Sequence, residues 1–267
     1  ICRTTEEAAY AVQACMSQGI FGEAGETVVI EELLEGPEVS VFAFSDGENL
    51  STLVAACDYK RAYDDDLGPN TGGMGSYSPP IFWNAELERE IRDTIVGPTI
   101  AALQKEGIEY TGVLYSGIML TKNGPKVIEF NCRFGDPEAQ VILPRLSTDL
   151  MEIILAVINH NLHETTIEWQ ELAAVGVVMA SGGYPGKYTT GIPIKGLTEA
   201  EEVGLVFHAG SREGSQAIIT DGGRVLTLVG RGQSLDEARV LAYAGLSKIE
   251  FQGAFYRHDI ATAKQKQ

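Results

Sequence analysis

From Ile128 to Arg133 the chain alternates apolar and polar residues, with Glu129, Asn131 and Arg133 at every second position. Successive strand side chains point to opposite faces, so these three share one face of a β-strand and Ile128, Phe130 and Cys132 share the other. The apolar set predicts a buried face. The polar set must look at something that compensates an acid, an amide and a guanidinium. A hard cation with phosphate fits: Mg2+ or Mn2+ takes one or two carboxylate or carbonyl oxygens and completes its octahedron with phosphate and water. Glu129 and Asn131 are then candidate metal ligands and Arg133 an anion contact. A solvated face of an antiparallel sheet explains the same pattern.

Composition narrows the partners. Asp and Glu number 37 against 20 Lys and Arg, a formal charge of -17, which repels nucleic acid and anionic membrane. With 44% hydrophobic residues over 267 positions, the chain can bury one large core or two modest ones. Apolar runs such as Val175–Ala180 are too short to span a bilayer, and no basic-then-apolar leader opens the chain, so the reading is a cytoplasmic small-molecule enzyme. Cys2, Cys15, Cys57 and Cys132 are scattered and predict reduced thiols. His160 and His163 sit three apart without a third metal ligand nearby, and together with His208 and His258 read as structural.

A capping box at Thr4-Thr-Glu-Glu7 opens a helix to about Ser17, and because Ile1 is not a start methionine the chain is expected to begin mid-domain. Strands are predicted at Thr27–Glu32, Val39–Phe44 and Leu50–Ala56, the last two joined by an Asp-Gly turn. Asp58–Pro80 shows no period and carries Gly68, Gly72, Gly73 and Gly75, the mark of a functional loop. A helix from Asn84 is expected to bend or break at Gly97-Pro98. Strands at Gly112–Leu120 and Lys126–Asn131 should pair antiparallel, followed by helices from Glu138 and from Asp149 to Asn159. A boundary near Trp169 divides the chain into residues 1–168 and a small α+β unit, 169–267. That unit has strands at Ala174–Ala180, Gln216–Thr220 and Arg224–Val229, the last two joined by Asp221-Gly-Gly223. A helix from Ser234 to Lys248 and a frayed tail at Lys264–Gln267 follow.

Val28–Glu38 reads as a strand, a tight turn and an acid, and resembles the hinge of ATP-grasp ligases. Two stretches sharpen the resemblance: Asp58-Tyr-Lys-Arg61 with Gly68-Pro-Asn-Thr-Gly-Gly-Met-Gly75, and Arg133-Phe-Gly-Asp-Pro-Glu138. Both are similar to the glycinamide ribonucleotide synthetases, or phosphoribosylamine-glycine ligases. The similarity continues through Val177–Gly186, Phe207–Gly210 and Gly222–Val225. The fold it implies is α+β, a partial ATP-grasp domain of antiparallel sheet and helices followed by the small carboxy-terminal domain.

The resemblance implies ATP-dependent ligation of glycine to 5-phosphoribosylamine through glycyl phosphate in purine biosynthesis, with ATP as substrate and Mg2+ or Mn2+ as cofactor. It assigns ATP to Glu31, Glu32, Leu33, Leu34 and Glu38, and the metal to Glu129 and Asn131. Arg133, Lys60 and Asp136 fall in the catalytic set, and Asp58, Arg61, Asn70, Thr71, Gly72, Gly73 and Glu138 around the substrates. Asp58–Pro80 is the candidate cover for the water-sensitive intermediate.

Tyr115-Ser-Gly-Ile-Met119 carries no third acidic metal ligand, unlike the matching strand of many ATP-grasp enzymes. The family's amino-terminal substrate domain and its glycine-rich, lysine-bearing phosphate loop are expected upstream of Ile1 as a partner region. The chain is therefore expected to be a carboxy-terminal piece that alone binds ATP weakly. Another ATP-grasp carboxylate-amine ligase of purine metabolism and a noncatalytic nucleotide-binding module are the alternatives.

Overall fold

A computed structural model describes residues 1–262; the tail expected at Lys264–Gln267 lies outside the described residues. Helix α1 (Thr5–Val12) starts at the capping box: Thr4 Oγ1 accepts from the Glu7 N–H at 3.2 Å, and the Glu7 carboxylate accepts from the Thr4 N–H. A π turn, Gln13–Ser17, prolongs it to the expected end. Strands β1 (Glu38–Asp46) and β2 (Val54–Asp58) pair antiparallel. Asp46 closes their turn by accepting the Glu48 and Asn49 N–H groups.

The segment after Asp58 is more regular than its sequence suggests. It holds the hairpin β3 (Arg61–Tyr63) and β4 (Leu67–Asn70), then β5 (Gly75–Ser78). Helix α2 (Ala85–Ile91), capped by Asn84, runs through a π turn, Arg92–Val96, into α3 (Gly97–Lys105). Gly97-Pro98 does not break it: Pro98 falls in the first turn of α3, and the π turn absorbs the missing donor. Strands β6 (Thr111–Thr121) and β7 (Gly124–Asn131) pair antiparallel as expected. Next come α4 (Ala139–Ile142), α5 (Leu150–Ile158), β8 (Ala173–Ala180), α6 (Leu197–Glu201) and β9 (Leu205–His208). The described chain closes with β10 (Ser211–Glu213), β11 (Ile218–Thr220), β12 (Arg224–Gly232) and α7 (Leu235–Leu246).

Eight strands form one antiparallel sheet in the order β7-β6-β1-β2-β5-β8-β12-β9. The sheet crosses position 169 without a break, because Gly75–Ser78 pairs with Ala174–Val177. The Asp221–Gly223 turn joins β11 to β12, yet the two do not pair: β11 pairs with β10, and β12 with β8 and β9. Gly210 and Gly222 explain the crossing, since a Cβ on Gly210 would sit 2.6 Å from Gly222 Cα and the backbones touch there.

One sheet face carries Val39, Val41, Ala55, Cys57, Ile118 and Val177 into the main core with residues of α2, α3 and α7. On the other face Phe42, Val54, Ala56 and Tyr115 pack with Val141 and Ile142 of α4. On one flank of that face Phe44 packs under Ile153, Ala156 and Val157 of α5, and on the other, beyond α4, polar side chains such as Ser40 follow.

Two further expectations fail. The Thr27–Glu32 strand does not form: residues 28–35 have neither helix nor strand, and Val29 and Ile30 are 81% and 80% exposed. β-Branched residues favour a strand only where a partner edge accepts it. The apolar face of β7 is not a core face either, since Phe130 is 42% exposed and Cys132 is exposed. β7 is the edge strand, and the core that encloses Ile118 does not extend to Phe130.

Candidate active site

Cross-strand register assembles the site. Ser40 lies opposite Ala56 and Gly117, and Gly117 opposite Glu129; Phe42 lies opposite Tyr115, and Tyr115 opposite Asn131. Opposed residues share a face, so β1, β6 and β7 present Ser40, Tyr115, Glu129 and Asn131 together, with Glu38 two residues before Ser40.

Lys60 Nζ donates to Glu38 Oε1 at 2.7 Å and to both Asp58 oxygens at 3.0 Å. Burial draws the Lys60 pKa down, but Asp58 and then Glu38 outweigh it, and the net shift is upward: Lys60 is firmly charged. Ser40 Oγ donates to Glu138 Oε1 at 2.9 Å and lies 3.0 Å from Tyr115 Oη. With its one proton given to Glu138, Ser40 must accept from Tyr115, so the hydrogen bonds run Tyr115 to Ser40 to Glu138. Glu138 is only 4% exposed, and burial, followed by the charge of Asp58, pushes its carboxyl up to about 7. Gly135 makes room for it, since a Cβ there would lie 2.3 Å from Glu138 Oε2.

Asn131 Nδ2 lies 3.1 Å from Glu129 Oε1, so these side chains meet as a pair. A Cβ at Gly117 would be 3.3 Å from Glu129 Cγ and 3.6 Å from Tyr115 Oη, which puts the Tyr115 hydroxyl beside the pair. Among the described residues no cluster of three or more His, Cys, Asp and Glu suits a metal. Two oxygen-bearing side chains on an accessible face fit an Mg2+-type ion that takes its other ligands from phosphate and water. Arg133 is exposed nearby and donates to Phe134 O at 2.9 Å.

Glu31, Glu32, Leu33, Leu34 and Glu38 come together around a cavity of about 830 Å3, with Met119 and Lys126–Ile128 opposite and Ala8, Ala11 and Val12 at its side. An exposed ion pair, Lys126 to Glu32 at 2.6 Å, joins its walls. A second cavity of about 540 Å3, between Gln170 and Arg231–Leu241, involves none of these residues.

The glycine-rich segment is tied down on several sides. Thr71 N and Oγ1 both donate to Lys60 O, Gly73 N donates to Thr71 Oγ1, and Arg61 Nη1 donates to Gly68 O. Arg61 and Thr71 thus serve the loop itself, and Asn70 stays exposed on β4. Arg257, 1% exposed, donates to Arg61 O, Asp66 and Asp259 and stacks 4.8 Å over the Tyr59 ring. The His258 N–H donates to Asp64 Oδ1. These contacts hold Asp65 and Asp66 at φ +57° and +54°. Gly72 N donates to Tyr184 Oη at 3.0 Å, and Arg224 Nη1 donates to Gly72 O and Asp136 O. The segment expected to act as a cover is, in this structure, a wall cross-linked by residues far along the chain. Asp136 faces away from the Ser40 cluster into an ion pair with Arg224, while Glu138 is inside it.

His160 Nδ1 bonds Asp46 O, whereas His163 lies 3.8 Å from Glu164, so the two do not form a metal pair. All four cysteines are free. No helix among the described residues is long and apolar enough to cross a membrane.

Residues 1–139 match the family model for the phosphoribosylglycinamide synthetase ATP-grasp (A) domain, and residues 174–263 match that for its C domain. The chain belongs to the phosphoribosylglycinamide synthetase family. A phosphoribosylamine--glycine ligase of Caldanaerobacter subterraneus is 49% identical over 98% of this chain. The trifunctional purine biosynthetic protein adenosine-3 of Gallus gallus is 53% identical over 96%. The chain spans 62% of the first relative's length and 26% of the second's. The crystal structure of a phosphoribosylamine--glycine ligase from Thermotoga maritima superposes with a TM-score of 0.83 at 36% identity, covering 94% of this chain and 63% of that one. The α+β ATP-grasp fold expected from the family resemblance is therefore the observed one.

Within this synthetase framework the sequence reading missed Ser40, Tyr115, Tyr184, Arg224 and Arg257. Ser40 had a signal in its spacing from Glu38 on one strand face. The other four act through contacts between distant segments, which no local pattern announces.

Proposed function

We propose that the polypeptide carrying this chain joins glycine to 5-phosphoribosylamine with ATP, through glycyl phosphate, giving glycinamide ribonucleotide, ADP and phosphate. The observation that carries this reading is the single sheet face on which the Glu129–Asn131 pair, the Glu38–Lys60–Asp58 cluster and buried Glu138 meet, in a chain of this family. Residues 1–168 and 169–267 are read as its two units, joined through their common sheet.

Glu31–Leu34 would take the adenine in the 830 Å3 cavity, and Glu38 the ribose hydroxyls, its charge steadied by Lys60. Glu129 and Asn131 would hold Mg2+ or Mn2+, which when bound lowers the repulsion between the glycine carboxylate and the γ-phosphate. Arg133 would meet the transferred phosphate with a planar fork suited to it. Asp58, Asp136 and Glu138 are the acids for the substrate amines, with Asn70–Gly73 as the adjoining wall. The attacking amine must lose one proton. The Tyr115–Ser40–Glu138 chain offers a path for it: the Tyr115 oxygen takes the amine proton, Tyr115 passes its own to Ser40, and Ser40 passes its own to the Glu138 carboxylate.

The test is ADP release by the full-length polypeptide with ATP, Mg2+, glycine and phosphoribosylamine, each omitted in turn. Release that needs both glycine and the amine is expected; release supported by formate or bicarbonate in place of glycine would overturn the reading. Glu129→Ala should lower turnover about a hundredfold or more with unchanged thermal unfolding. Unaltered turnover at saturating Mg2+ would remove Glu129 from the ligand set.

A further inference from the structure

Two side chains of the carboxy-terminal part, Arg224 at the start of β12 and Tyr184 in the Ser181–Gly186 turn, reach into the glycine-rich wall. Arg224 Nη1 donates to Gly72 O at 2.8 Å and to Asp136 O at 2.7 Å, and lies 3.2 Å from Asp136 Oδ1. Tyr184 Oη accepts the Gly72 N–H at 3.0 Å. Both polar backbone groups of Gly72 are thus held by residues more than a hundred positions away. The packing leaves no slack: a Cβ on Gly72 would meet the Arg224 guanidinium at 3.0 Å, one on Gly73 would meet Pro137 Cδ at 2.4 Å, and one on Gly223 would meet the Tyr184 ring at 2.2 Å.

We propose that Arg224 and Tyr184 are positioning residues that set the spacing between the Asn70–Gly73 wall and the Asp136–Glu138 segment, and thereby the grip on glycine and on the phosphorylated amine. The proposal rests on the ligase reading above. One guanidinium nitrogen bridges carbonyls of both segments, so neither moves relative to the other while that fork is in place. The latch touches none of the residues around the nucleotide cavity, which lie at the β1-β6-β7 end of the sheet. Its loss should act on the two small substrates and spare ATP.

The experiment uses the full-length polypeptide with Arg224→Lys and, separately, Tyr184→Phe. Each should raise KM for glycine and for phosphoribosylamine about tenfold, with kcat and the KM for ATP nearly unchanged, the pattern of lost geometry in substrate binding. Unchanged KM values, or all three KM values rising together with a lower Tm, would overturn the proposal. Amide hydrogen exchange at Gly72 gives a readout that does not depend on ligation. It should quicken about tenfold in Tyr184→Phe at unchanged Tm, as expected for a lost hydrogen bond that restrains local opening. If the wild-type polypeptide forms no glycinamide ribonucleotide, the ligase reading falls; exchange at Gly72 that does not respond to Tyr184→Phe removes the latch itself.

Discussion

The two ends of the site are built differently. The glycine-rich end is held by Arg257, Arg224, Tyr184 and the His258 backbone, all from the far carboxy-terminal part of the chain. At the end proposed for the nucleotide, residues 28–35 lack regular structure, and Val29 and Ile30 are exposed. Among the described residues an exposed ion pair, Lys126–Glu32, ties that segment to β7. The contrast separates a wall cross-linked within the protein from a segment whose apolar surface lies open. Under the proposed function, a cross-linked wall would lower the entropy cost of holding two small, polar substrates, while an adenine ring would bring enough apolar area to organise the open segment.

Several substitutions would break or sharpen this contrast. The largest effect is expected from Arg257→Ala, which takes the cation from Asp66 and Asp259, leaving Asp259 the Asp65 N–H, and removes the stack on Tyr59. Because Asp66 is largely exposed, the loss in unfolding free energy should be about 3 kcal/mol, at the low end for a broken buried pair. A denaturant titration showing less than about 1 kcal/mol would contradict the cross-linked wall. Gly73→Ala should cost about 2 kcal/mol, since φ is +114° and its Cβ would strike Pro137. Gly107→Ala is the control, with φ +73° and open space around it, and should cost about 1 kcal/mol. Equal losses at the two glycines would mean that the Pro137 contact yields.

The titration of Glu138 has a definite sign. Its folded pKa is raised to about 7 from 4.5, so the folded state holds a proton that the unfolded state has released between those values. Stability from this group is complete below about pH 4.5 and falls as pH rises through 7, by about 1 kcal/mol or more. Unfolding followed from pH 4.5 to 8 should show that decline, and Glu138→Gln should flatten it; an identical slope in the variant would assign the titration elsewhere. The smallest effect belongs to Glu32→Gln, which breaks an exposed pair and should change stability by no more than about 0.5 kcal/mol.

Most of the sheet was legible in the sequence because its strands alternate or cluster β-branched residues between turn signals, as in β1, β6, β7 and β8. The shared face of Glu129 and Asn131 was legible for the same reason, and Glu31–Leu34 and Glu38 line one cavity. What was hidden depends on partners distant in sequence. Thr27–Glu32 looks like a strand but finds no partner edge, and Phe130 alternates correctly on an edge strand that its core does not reach. The hairpin of β3 and β4 is too short for a period, and its anchors lie more than a hundred residues on. Lys60 was placed in the catalytic set by the family resemblance, and the fold shows it as the partner of Glu38 and Asp58.

The most direct test of the two-ended site is residue-resolved amide hydrogen exchange, with and without Mg2+ and a nonhydrolysable ATP analogue. Slow exchange at Thr71, Gly72 and Met74 without ligand, together with fast exchange across residues 28–35 that slows when nucleotide is added, is the predicted result. Fast exchange at Thr71–Met74 that slows only with ligand, or protection of residues 28–35 before any nucleotide is present, would contradict it.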